Sequence, residues 1–251
     1  MNILPLASSS RGNAYIIQIK DTTLLIECGI SITTLRDYMY GHNMKITDID
    51  ACLITHSHND HAKCVKELLN LGIDCYMSKG TAQELGVRTH HHTNILKCIK
   101  NVDSPKMLGR LYPAVTIKDI TVLPYLAVHD TKEPLYFLLR DKNDKTRLLF
   151  AIDTAYINCM FKKLTHLMIE VNYDEENLRE NMHTGKISLE RRNRVVKTHM
   201  GLETAKDFIK ELDKKNLYEV YIMHMSKSNA FADIVQEEIE KVSGVPVKVC
   251  G

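Results

Sequence analysis

Residues 55–61 read Thr-His-Ser-His-Asn-Asp-His, which places His56, His58, Asp60 and His61, all able to hold a metal, within one short run. On an extended segment positions i and i+2 share a face, so His56 and His58 can point at one ion. Asp60 and His61 fall where the chain turns into a helix and can reach a second ion close by. Imidazole together with carboxylate suits Zn²⁺, Mn²⁺ or Fe. A solvated histidine-rich loop is the bland alternative, but it does not account for so dense a ligand set at the end of an apolar strand. Further His and Asp residues close other apolar runs: His129, Asp153 and His224. A single histidine at a strand end is more often structural than a ligand, so these three carry little weight one at a time.

The elements that must position these groups follow from hydrophobic periodicity. Segments 2–6, 14–19 and 23–27 are expected as strands, with Gly12-Asn13 forming one of the turns between them. Segment 51–55 is a buried-type strand, and Ala62, Val65, Leu68 and Leu69 mark a helix after it. Segments 115–118, 122–128, 135–139, 148–152, 167–171, 218–223 and 245–249 read as further strands. One helix face is formed by Leu202, Ala205, Phe208, Ile209 and Leu212, and another helix covers 234–242. Strands clustered in each half, with helices following, predict an α/β fold of two facing mixed sheets with helices outside, a four-layer αββα sandwich. At 251 residues the chain is long enough for one such domain, spanning 1–251.

Composition narrows the classes. A formal charge of +2 is too small to argue for nucleic-acid binding, so that case must rest on local patches. Seven cysteines without a C-x-x-C pair fit reduced thiols and a cytoplasmic protein. No stretch approaches the roughly 18 apolar residues of a membrane span, and the first residues lack the pattern of a secretion signal.

With these pieces in chain order, the sequence resembles the metallo-β-lactamase superfamily, whose signature the H-x-H-x-D-H run matches. Ser8-Ser9-Ser10-Arg11-Gly12-Asn13, His129-Asp130 with Glu133-Pro134, Glu170-Val171-Asn172-Tyr173-Asp174 and His224-Met225-Ser226-Lys227-Ser228-Asn229 resemble segments of the YycJ/WalJ-type exonuclease and phosphodiesterase branch. The resemblance implies two divalent ions, Zn or Mn, with Fe also compatible. It assigns His56, His58 and His129 to the first, Asp60, His61 and His224 to the second, and Asp153 to both. The chemistry such a pair supplies is activated water and neutralised charge on phosphate oxygens. Glu170 and His199 stand where related tRNA 3′-processing enzymes carry a Glu–His pair, which implies proton donation to the leaving oxygen; Asp60, His199 and Glu170 are the candidate catalytic residues. Three departures stand out. The family's early Asp in D-x-G is Glu27 here, followed by Cys28-Gly29; Thr198-His199-Met200-Gly201 stands in place of the branch's G-H-L-S; and residues 81–111 match no segment of the pattern.

Phosphate contacts are expected from Ser10 and Asn13 in the tight turn, from Arg194 and Lys197, and from Lys227 and Asn229. For Arg191 and Arg192 a solvated helix face serves as well, and His90-His91-His92 reads as a polar loop. The expected activity is hydrolysis of a phosphodiester, with DNA ends as the first substrate class. A small-molecule phosphodiesterase acting on cyclic or modified nucleotides is the alternative, favoured by the low charge and by the absence of Trp. A thioester or lactam hydrolase fits less well, and the sequence is compatible with a homodimer.

Overall fold

The structure is a computed structural model and describes residues 1–98, 112–143, 145–226 and 228–251. Lys227 lies outside the described residues, as does 99–111, part of the stretch that matches no segment of the family pattern. The chain divides into two compact units, one of residues 1–126 and 131–145 and the other of residues 127–130 and 146–251.

The first unit opens on a hairpin of β1 (Asn2–Ser9) and β2 (Gly12–Ile19), followed by β3 (Thr22–Ile26). Its turn falls at Ser10-Arg11, two residues earlier than the expected Gly12-Asn13, because Gly12 and Asn13 already pair within the β1–β2 ladder. Gly12 serves packing: a Cβ there would stand 2.7 Å from Ile30 and 2.8 Å from the Gly29 carbonyl oxygen. β2 and β3 are almost wholly buried, as their unbroken apolar runs require. Helix α1 (Ile32–Gly41) starts at Ser31, whose hydroxyl accepts from the Thr34 N–H.

Next come β4 (Ala51–Leu53), α2 (Asn59–Ala62), α3 (Val65–Asn70), β5 (Cys75–Ser78), α4 (Lys79–Glu84) and β6 (Thr93–Leu96). β1 to β6 form one sheet in chain order, antiparallel up to β3 and parallel from there on. Ile16, Leu25, Leu35, Cys52, Leu68 and Met77 belong to the core on which α1 and α3 are packed. β7 (Val115–Ile117), β8 (Ile120–Leu126) and β9 (Leu135–Asp141) add an antiparallel meander.

The second unit is built on parallel strands β10 (Arg147–Ala151), β11 (His166–Glu170), β12 (Glu219–Met223) and β13 (Val247–Val249), adjacent in that order. Helices α5 (Glu175–His183), α6 (Leu189–Thr198) and α7 (Leu202–Glu211) connect β11 to β12, and α8 (Ala232–Ser243) connects β12 to β13. The predicted face of α7 is the buried one: Leu202, Ala205, Phe208 and Ile209. α8 ends at Gly244 with φ 71°, a left-handed C-terminal cap.

Gly29 is the tightest backbone approach of the first unit. A Cβ at this position would stand 1.6 Å from the Asp60 carbonyl oxygen, with backbone on every side, whereas a Cβ on Gly41 meets nothing within 4 Å. Gly29→Ala should therefore destabilise by at least about 1–3 kcal/mol through overpacking. Gly41→Ala should be neutral or stabilise by up to about 1 kcal/mol. Urea unfolding of both variants checks the contrast; equal midpoints would refute it.

Candidate metal and phosphodiester site

In the first unit β4 hands over to the buried residues Ile54, Thr55 and His56, and His58 caps α2. The sequence thus turns from strand to helix within the motif itself. His56 Nε2 and His58 Nδ1 lie 3.1 Å apart. His61, fully buried, packs its ring 4.2 Å from that of His56. Asp60 Oδ2 is 3.4 Å from His61 Nε2. Ring nitrogens and a carboxylate are therefore turned toward one another.

Glu27 occupies the place of the family's Asp. It is fully buried in a left-handed conformation (φ 64°) directly after β3. Its Oε1 accepts from the Thr55 N–H at 3.2 Å, and its Oε2 faces His61 Nδ1 at 3.6 Å. The longer side chain still reaches the loop it has to brace. Burial raises its carboxyl pKa, against the pull of His61 and Thr55. Asn13 completes the bracing: its Nδ2 donates to the Ser9 and Asp60 carbonyls at 3.1 Å each and lies 3.1 Å from His61 Nε2. The amide expected to meet phosphate is thus engaged inside the protein, while Ser10 beside it is exposed.

In the second unit the chemistry gathers around Asp153, 2% exposed and left-handed (φ 48°) just beyond β10. Asp153 Oδ1 lies 3.3 Å from His224 Nε2 and 3.4 Å from His199 Nδ1, and its Oδ2 lies 3.6 Å from His129 Nε2. His224 follows β12, again left-handed (φ 52°), and its carbonyl accepts from Asn172 Nδ2 at 3.0 Å. His129 Nδ1 stands 2.8 Å from the Thr198 carbonyl oxygen, which takes its proton and leaves Nε2 as a lone pair toward Asp153. A lone pair facing a buried carboxylate is unfavourable without a positive charge between them. The donor chemistry fits a divalent cation.

Asp153, Glu170, His199 and His224 each offer a ligand atom within one small cluster. The pair inside it has its own geometry. Glu170, at the end of β11 and fully buried, holds His199 Nδ1 at 2.6 Å. Its other oxygen accepts from the Thr154 and Met200 N–H groups at 3.2 and 3.4 Å. Burial lowers the His199 pKa, but the neighbouring Glu170 and Asp153 carboxylates outweigh it and hold the imidazole well above its ordinary value. Burial raises Glu170 in turn. His199 therefore keeps a proton at neutral pH, with Nδ1 held toward the two carboxylates.

The remaining expected contacts scatter. Arg194 Nε donates to Asp130 Oδ2 at 2.8 Å, so this guanidinium is paired with the residue beside His129. Lys197 is exposed on the last turn of α6. Asn229 is buried, its Oδ1 accepting from Asn181 Nδ2 and its carbonyl from the Asp174 N–H, which is a turn-building role. His92 Nδ1 sits 2.9 Å from Asp74, while His90 and His91 line a cavity of about 560 Å³ with Lys66, Leu69 and Val87. Sequence reasoning passed over Asn172, the Thr198 carbonyl and Glu84, whose carboxylate accepts from the Ser57 hydroxyl.

Comparison with known proteins fits this geometry. The profile of the Metallo-beta-lactamase superfamily matches residues 9–163. Exodeoxyribonuclease WalJ of Streptococcus pneumoniae serotype 2 (strain D39 / NCTC 7466) is 27% identical over 238 residues, 91% of this chain and 83% of WalJ. Exodeoxyribonuclease YycJ of Bacillus anthracis is 24% identical over 242 residues, 94% of this chain and 87% of YycJ. Among solved structures, the metallo-beta-lactamase fold protein YhfI from Bacillus subtilis superposes with a TM-score of 0.70 at 16% identity, covering 98% of this chain and 95% of YhfI. The α/β metallo-β-lactamase fold expected from the sequence is the fold observed. The chain belongs to the metallo-beta-lactamase superfamily, as a metal-dependent hydrolase of the phosphodiesterase type.

Proposed function

We propose that the chain is a DNA exonuclease working with two divalent ions, Zn²⁺ or Mn²⁺, and that residues 1–251 act as one hydrolase domain in the cytoplasm. The observation that carries this reading is the 2.6 Å Glu170–His199 pair beside Asp153 and His224. It supplies a proton donor next to a ligand set, as hydrolysis of an unactivated phosphodiester needs. The exodeoxyribonuclease relatives, alike over most of their length, support DNA as the substrate.

His56, His58 and His129 would hold the first ion, Asp60, His61 and His224 the second, with Asp153 shared. When bound, such ions supply activated water and neutralise charge on the phosphate's non-bridging oxygens. This chain's residues do the rest. Glu170 accepts a hydrogen bond from the His199 Nδ1–H, whose proton stays on the ring, and so fixes the ring. His199 Nε2 then gives its proton to the departing 3′ or 5′ oxygen. Glu27 and Asn13 keep His61 and the Asp60 backbone in place. Among the described residues expected to touch phosphate, Lys197, Ser10 and Arg194 are the exposed ones.

A second reading, hydrolysis of a small cyclic or modified nucleotide, is favoured by one observation. In the Arg194–Asp130 pair a phosphate chain must compete with Asp130 for this cation, which a substrate needing fewer cations does not depend on.

Freshly purified protein should contain about two divalent ions per chain, and Asp153→Ala should abolish both binding and activity while the far-ultraviolet circular dichroism stays native. Metal analysis finding none, with no activity on adding Zn²⁺ or Mn²⁺, would sink the reading. His199→Ala should lower kcat roughly 10²–10⁴-fold with metal content unchanged. A p-nitrophenyl phosphodiester, whose leaving group needs no proton, should recover much of that loss. Wild-type rates on both substrates would return His199 to a structural role. Against end-labelled DNA, log affinity should fall with log salt at a slope of about −0.7 to −0.9 per phosphate neutralised. Lys197→Ala should flatten it by about one unit. Salt-insensitive turnover of a cyclic mononucleotide, with DNA ends untouched, would favour the second reading.

A further inference from the structure

Ser57 stands between the two histidines that open the metal motif, and its hydroxyl donates to Glu84 Oε2 at 2.5 Å. The same oxygen accepts from the Lys132 N–H at 3.3 Å. Lys132 lies three residues along the chain from His129. One carboxylate oxygen on α4 thus holds both the loop that carries His56 and His58 and the backbone at Lys132.

The rest of α4 is fastened to the same segment. At its other end the Gly80 N–H donates to Glu133 Oε2 at 2.5 Å. A Cβ on Gly80 would come within 2.6 Å of the Lys132 carbonyl oxygen, so helix and segment touch backbone to backbone. Glu133 itself is held in the left-handed region (φ 51°), an uncommon conformation for a residue other than glycine. The segment then returns to the motif, where the Leu135 N–H donates to the Thr55 carbonyl at 2.9 Å. Thr55, Ser57, Glu84, Lys132, Glu133 and Leu135 therefore close a ring of hydrogen bonds around α4.

We propose that Glu84 is a positioning residue for metal binding: through Ser57 it fixes the His56–His58 loop, tying it to α4 and to the Lys132 backbone. The inference rests on the reading of His56 and His58 as ligands of one ion. Glu84 is exposed, so its link costs little to form, and its loss leaves the core intact. What it changes is the order of the ligands before an ion arrives. Partners of this kind outside the ligand set are worth about 10–100-fold in metal affinity.

The experiment is a competition titration of the full-length apo chain with Zn²⁺ against a chromophoric chelator, alongside thermal unfolding of the apo protein. Glu84→Ala is expected to weaken one of the two Zn²⁺ sites about 10–100-fold, the same site that His58→Ala removes, with the second site and the apo melting temperature unchanged. Glu84→Gln keeps an oxygen acceptor and is expected to restore most of the affinity. Should Glu84→Ala fold poorly, Ser57→Ala cuts the same link from the other end and is expected to weaken the same site. Two Zn²⁺ bound at wild-type affinity in Glu84→Ala and Ser57→Ala would overturn the inference while leaving the metal reading standing. Equal weakening of both sites with a lowered apo melting temperature would overturn it in favour of a purely structural role. A wild-type chain that binds no Zn²⁺ would overturn the metal reading, and this inference with it.

Discussion

Asp153, a carboxylate at 2% exposure, is a demanding group to bury, because taking an ion out of water costs several kcal/mol unless charge and hydrogen bonds are returned to it. Asp153 meets imidazole nitrogens of His129, His199 and His224 at 3.3–3.6 Å, longer than good hydrogen bonds. His129 has turned its proton to the Thr198 carbonyl, so it presents electrons, not a donor, to a negatively charged oxygen. Protonated His199 offsets part of the Asp153 charge, while the His129 lone pair becomes favourable beside it only around a cation. The buried strands hold these groups together beforehand. β10, β11 and β12 are buried at nearly every position, and Glu170, Asp153 and His224 stand at or just past their ends.

The handover from strand to site follows one device. Glu27, Asp153 and His224 each follow a buried strand in the left-handed region, with φ of 64°, 48° and 52°. For non-glycine residues this conformation costs on the order of 1–3 kcal/mol and persists only where neighbours over-determine it. Those neighbours are identifiable. The Glu27 N–H is tied to the Leu53 carbonyl and its carboxylate to the Thr55 N–H, and the His224 carbonyl is taken by Asn172. The sharp reversal aims a side chain off the strand end that a continuing β conformation would send to a face of the sheet.

The same physics sorts what was legible in the sequence from what was not. Each buried strand before a ligand is an unbroken apolar run, so strands ending at 53, 151 and 223 were readable together with the residues they deliver. The α7 face was readable because its spacing is helical. β5, α4 and β6 were not read: they are four to six residues long, too short for a period to show, and they overlap or adjoin the stretch without a motif. α1 was missed because its buried side is only Leu35 and Met39. Asn13 and Asn229 carried the right residue type for a phosphate contact, and what decided their role was distance along the chain. Asn13 reaches Asp60 and His61, and Asn229 reaches Asp174 and Asn181, partners that no local pattern announces. Glu84 was unreadable for the same reason.

Arg194 shows how a sequence expectation and an observed contact can both stand. Its guanidinium is 65% exposed and its partner Asp130 is 34% exposed, so the pair is screened by water and worth at most about 1 kcal/mol. A pair this weak exchanges readily, so a phosphate can compete for the guanidinium through two parallel N–H bonds, and Asp130 leaves Arg194 within reach of a phosphate. Asp130 also faces His129 Nε2 at 3.3 Å through its other oxygen. The resting pair thus keeps a cation beside the carboxylate that borders the ligand set, and holds a long, otherwise mobile side chain in one place before substrate arrives.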